Sequence, residues 1–97
     1  MSSTKALRGE ILDFLHRISP SVIDELEIIG VFYQYHKDNE IRNALLYLVD
    51  RGYIKVIEEP HPYKARGKIH LYQITADGID VLEMTKQDDG IVVPERE

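Results

Sequence analysis

Lys64, Arg66 and Lys68 alternate with Ala65 and Gly67 inside a stretch, His61 to His70, that contains no acidic residue. Cations spaced this way on a loop can meet the phosphate oxygens of a nucleic acid or enter a minor groove. His61, Tyr63 and His70 surround them. A charged loop of this kind also serves a simpler end, keeping the edge of a hairpin soluble and unpaired. A second set comprises Asn39, Arg42, Asn43, Leu46 and Tyr47, with Asp50 nearby. At helical spacing these lie opposite, or at the edge of, the side formed by Ile41, Leu45 and Leu48. Asparagine can give adenine two hydrogen bonds, and arginine can do the same for guanine, when a helix lies in a major groove. Leu46 and Asp50 suit an ordinary solvated face better.

Catalytic chemistry has no comparable support. There is no cysteine, hence no disulfide and no thiolate metal site. The four histidines are scattered: His61 and His70 are nine apart, and His16 and His36 fall in different segments. Neither HxxxH nor HExxH occurs, nor a GxSxG nucleophile turn, nor a glycine-rich loop for phosphate. No catalytic residue, metal or cofactor is therefore expected.

The apolar pattern supplies the elements that must carry these residues. From Thr4 to Ile18, Leu7, Ile11, Phe14, Leu15 and Ile18 form the stripe of an amphipathic helix, stopped by Ser19-Pro20. Ser21 reads as the cap of a second helix running from about Val22 to Tyr35, with Leu26, Ile29 and Tyr33 inward, helped by Phe32. Its early acids, Asp24, Glu25 and Glu27, suit a helix N-terminus, although they would repel phosphate there. A third helix spans about Asn39 to Arg51, capped by Asp38 or Asn39 and ended by Gly52. The period then drops to two. Tyr53–Ile57 and Lys68–Ile74 read as strands around a loop, Glu58–Gly67, that holds Pro60, Pro62 and Gly67. Thr75 caps a last short helix containing Ile79 and Leu82. Tyr33, Tyr53 and Tyr72 are expected at inward or half-buried positions, and Tyr47 and Tyr63 are the candidates for exposure.

The totals set the outer bounds. A chain of 97 residues, 43% of them hydrophobic, suits one domain with one core. It shows no signal peptide and no apolar run of the roughly 20 residues that cross a bilayer. A cytoplasmic location and no membrane partner are expected. The net charge of -5 opposes a simple nucleic-acid reading. It is uneven, however: Gln87 to Glu97 holds four acids against one base, a net of -3, which leaves -2 for residues 1–86. The expected organisation is a domain over 1–86 and a flexible acidic tail over 87–97, whose charge would partly mask the basic loop.

Helix, helix, helix, hairpin, helix is the order of a winged helix-turn-helix, a mainly α fold with a small β-hairpin. Leu45-Leu46-Tyr47-Leu48-Val49-Asp50-Arg51-Gly52-Tyr53-Ile54 resembles the join between recognition helix and wing in the MarR, PadR and ArsR groups of regulators. Tyr72-Gln73-Ile74-Thr75-Ala76-Asp77-Gly78, followed by Leu82, resembles the far side of their wing. Gly78-Ile79-Asp80-Val81, then Asp89-Gly90-Ile91 and Pro94, is similar to the C-termini of small winged-helix proteins of Mu-like phages and prophages. The resemblance implies three helices, a two-stranded wing and a short closing helix. It also implies a small transcriptional regulator on double-stranded DNA, with Asn39, Arg42, Asn43, Leu46 and Tyr47 on the recognition helix and Lys64, Arg66 and Lys68 on the wing. A homodimer paired through the first and last helices would fit a palindromic site. Because the fold does not dictate its use, the alternative is a protein-interaction module without DNA contacts, a reading that suits the acidic balance.

Overall fold

The computed structural model describes residues 4–95. The elements follow in the order α1 (Thr4–Ile18), β1 (Ile23–Asp24), α2 (Glu25–Phe32), α3 (Asp38–Asp50), β2 (Ile54–Pro60), β3 (Lys68–Ile74) and α4 (Ala76–Leu82). Four helices thus surround a three-stranded antiparallel sheet of order β1-β3-β2. The core is built from Leu7, Ile11, Leu12 and Leu15 of α1, Ile41, Leu45 and Leu48 of α3, and Ile54, Tyr72 and Ile74 of the sheet.

The α1 stripe and its stop before Pro20 are as the spacing predicts. The second helix differs. It begins at Glu25 rather than near Val22, and its cap is Asp24, whose carboxylate accepts the Leu26 amide at 2.7 Å, not Ser21. The β-branched pair Val22-Ile23 leads instead into a short strand, where Ile23 pairs with Tyr72 and Asp24 with Leu71. An edge of β3 would otherwise be left without backbone partners, and β1 covers it. The helix also ends at Phe32, not Tyr35, so the buried face is rotated. Ile28 is fully buried, whereas Leu26 and Tyr33 are 69% and 63% exposed. With only eight residues in α2, its entry from β1 rather than its own periodicity decides which side faces the core.

Helix α3 starts one residue earlier than expected. Lys37 is the N-cap, and the Glu40 carboxylate reaches back to accept its amide at 2.8 Å. At the other end Gly52 has φ 78°, in the left-handed region that glycine enters without steric cost. Its amide donates to Val49 and that of Tyr53 to Leu48, both at 2.9 Å, and the chain passes directly into β2.

The hairpin ladder runs from Ile54↔Ile74 to Pro60↔Lys68, three residues further along β2 than the alternation indicated. The connecting loop is thereby shortened to residues 61–67. It is closed by His61 N–H donating to the Gly67 carbonyl at 2.8 Å. Thr75 caps α4 by accepting the Gly78 amide at 3.2 Å, while its own hydroxyl donates to the Gly52 carbonyl at 2.6 Å.

Residues 87–97 were expected to form a flexible tail. In the structure Asp88–Val93 lies against the domain. Ile91 is 7% exposed and joins the core. The Val92 amide donates to the Lys5 carbonyl at 3.0 Å, and the Arg8 guanidinium donates to the Gly90 carbonyl at 3.0 Å. Gly9 is buried because the Val92 carbonyl occupies the place where its Cβ would stand. Arg96 and Glu97, the rest of that tail, lie outside the described residues.

Candidate nucleic-acid interface

Helix α3 buries Ile41, Ala44, Leu45 and Leu48, which turns Asn39, Arg42, Asn43, Leu46 and Asp50 outward. Asn39, Asn43 and Leu46 are exposed, as their wheel positions require. Arg42 is partly covered by carboxylates from two sides. Its Nε lies 3.6 Å from Glu25 and its Nη1 3.5 Å from Asp38, one turn earlier on the same helix. Glu25 is itself held, because the Tyr72 hydroxyl donates to it at 3.0 Å. Burial pushes the Tyr72 hydroxyl well above the ordinary tyrosine value, and its hydrogen bond to Glu25 pushes the same way. The hydroxyl therefore remains a donor. Through these contacts the sheet, α2 and α3 are joined by polar groups at a surface edge.

Tyr47 departs from the expected set. It is half-buried and faces the C-terminal segment rather than solvent. Its hydroxyl donates to Asp88 at 2.8 Å, and the Arg8 guanidinium sits over its ring, 3.6 Å from the centroid. Asp88 also accepts from the Tyr53 hydroxyl at 2.6 Å and the Gly90 amide at 2.7 Å, with Arg51 Nε at 3.7 Å. Burial raises the Asp88 carboxyl, but these donors and the Arg51 charge outweigh it and hold the group below its ordinary value. Tyr53 is pushed up to about 12 by burial and by its bond to Asp88. Asp88 thus neighbours the C-terminal end of α3.

On the hairpin, Lys64 and Arg66 are exposed on the connecting loop, and Tyr63 is 91% exposed beside them. Lys68 is in a different position. The ladder sets Glu58 opposite His70, and the Glu58 carboxylate reaches both Lys68 Nζ at 3.5 Å and His70 Nε2 at 3.3 Å. The expectation of three cations clear of acids therefore reduces to two. It failed because Glu58 and Glu59, read as loop residues, belong to a strand paired with the one carrying Lys68. Such exposed pairs contribute at most about 1 kcal/mol and are readily exchanged for another anion.

Glu25, Tyr72, Asp88 and Arg8 were not singled out for these roles from sequence. Only Glu25 had a visible signal, as an acid at a helix start. Among the described residues no group of three or more His, Asp or Glu could hold a metal, and no helix is long and apolar enough to cross a membrane.

The arrangement superposes on a chain from the crystal structure of Bacillus subtilis PadR in complex with operator DNA, with a TM-score of 0.61 over 94% of this chain. The fold is a winged helix. Sequence identity in that match is 17%, and this chain spans about half of the PadR chain, 54% of its length. No family model and no curated protein matches the sequence. In winged-helix terms α3 is the helix that follows the turn, the β2–β3 hairpin is the wing, and α4 closes the domain. The wing is joined by β1, which makes the sheet three-stranded rather than the two-stranded one expected.

Proposed function

We propose that this chain is a small DNA-binding regulator, with the outer face of α3 in the major groove and the wing loop on the flanking backbone. The observation that carries this reading is the division of α3. One side is sealed into the core, and the other presents Asn39, Arg42 and Asn43 on a fold that PadR places on operator DNA. Asn39, Arg42, Asn43 and Leu46 are the candidates for base edges, and Lys64 and Arg66, joined by Lys68 once it leaves Glu58, for phosphate. Tyr47 contributes by fixing the end of α3 through Asp88. A regulator of phage or prophage type is the finer form of this reading, supported by the likeness of residues 78–94 to such proteins. Two copies on a palindrome would double the phosphate contacts one domain can make. In the proposed pairing through α1 and α4, part of α1 is already covered by the chain's own Val92. Sedimentation with and without DNA tests it, and a monomer in both rejects it.

The direct test is titration into a labelled random-sequence duplex at low and moderate salt. Binding that weakens steeply with salt is expected. No binding at low salt rejects the DNA reading. It would then favour an interaction module, for which Leu26 of α2 and Tyr33 just past its end, seven residues apart on one side, offer exposed apolar surface.

A further inference from the structure

Arg42, on the outer face of α3, does not stand alone: two carboxylates oppose it, in a place where acids would be expected to weaken DNA binding. Glu25 opens α2, Asp38 opens α3, and both face Arg42. Glu25 is not a loose surface acid. Its side chain is 25% exposed, and the buried Tyr72 of the wing strand donates to it at 3.0 Å. The residue before it, Asp24, is pinned by strand pairing with Leu71, next to Tyr72 in β3. The carboxylate is therefore anchored to the sheet, and Arg42 Nε lies 3.6 Å from it.

We infer that Glu25, oriented by Tyr72, is a specificity-determining residue that holds the Arg42 guanidinium in place for a base edge and keeps it off the phosphates. This deepens the DNA reading above and rests on it. A guanidinium has five N–H donors. With Nε towards Glu25 and one Nη1 proton towards Asp38, the remaining Nη1 and Nη2 protons form the end-on fork that guanine O6 and N7 accept. The carboxylates also offset the charge that would draw a free arginine to any phosphate, so Arg42 adds little to sequence-independent affinity. Asp38 alone, 63% exposed and on the same helix as Arg42, would be a weaker guide.

The test compares wild type, Glu25→Gln and Tyr72→Phe on two duplexes: the best binder selected from a random pool and an unselected mixed-sequence duplex. Glu25→Gln is expected to bind the mixed duplex more tightly, with its salt slope steepened by up to about 0.9 as Arg42 reaches a phosphate. Its preference for the selected duplex should fall by at least about fivefold, the low end of what one bidentate arginine–guanine pair supplies. Tyr72→Phe should move both readouts in the same direction by less, and Glu25→Asp should restore part of the preference. A second measurement needs no DNA. Side-chain 15N relaxation of Arg42 Nε should show the ordered guanidinium of wild type becoming mobile in Glu25→Gln. An unchanged Arg42 overturns the positioning role. A mobile Arg42 with undiminished preference overturns the specificity role. If wild type binds neither duplex, the DNA reading itself falls and the specificity role with it, while the relaxation result still reports whether Glu25 holds Arg42.

Discussion

Asp88 is the clearest case of a residue whose importance is invisible until its partners are known. In sequence it is one of several acids near the C-terminus. In the fold it accepts from Tyr47, Tyr53 and the Gly90 amide. Asp88→Ala leaves the buried Tyr53 hydroxyl without its acceptor, at a cost of about 1–3 kcal/mol in urea unfolding. The pH dependence follows from the direction of each shift. The Asp88 carboxyl lies below its unfolded value of 3.8, so its contribution is complete above that pH and is lost as pH falls through the folded value. Tyr53 has the opposite sign. Its hydroxyl is raised from 10.0 to about 12, so its contribution is complete below pH 10 and disappears as pH rises through 12. Thermal melts across pH should therefore show a plateau with losses at both ends, and Asp88→Asn should shrink the acid-side loss.

Among the elements, α1, α3 and β3 could be read from spacing because each contains enough turns or alternations to specify its own phase, and the short α4 could be read from its Thr75 cap. The second helix could not. Two turns long, it takes its orientation from the strand pairing of Ile23 and Asp24, a tertiary contact with no local signal. The wing was legible as a hairpin but not in its charge pairing, because the register decides that Glu58 meets Lys68 and His70. The salt dependence of DNA binding should reflect this. Lys64→Ala with Arg66→Ala is expected to flatten the slope by up to about 1.8, and adding Lys68→Ala should contribute less than either did. Two glycines at element junctions provide a separate check. Gly52→Ala meets open space but must adopt φ 78°, so it should cost about 1–2 kcal/mol. Gly78→Ala drives a Cβ into the Tyr53 carbonyl and should destabilise more, since backbone and not a movable side chain is in the way. Chemical denaturation of both variants would show whether that order holds.

For the whole molecule, the largest departure from the sequence reading concerns the C-terminal segment. Expected as a flexible acidic tail, it is held by burial of Ile91 and by the polar contacts of Asp88, Gly90 and Val92. Periodicity cannot register such a segment, since it has no repeating element. Deleting residues 87–97 is thus expected to lower stability by about 2–4 kcal/mol, seen as a lower urea midpoint. If the midpoint is unchanged, these contacts do not stabilise the domain. The hydrogen bond between Val92 and Lys5 also bears on how the polypeptide can be rewired. It holds residues near the two ends of the described chain side by side, while the exposed loop 61–67 lies in the middle of the sequence. A circular permutant that joins residue 95 to residue 4 through a short linker and opens new ends in that loop should keep the same core, because no buried pairing is cut. Its far-ultraviolet circular dichroism should match that of the parent, with the wing's backbone contacts the first to be lost.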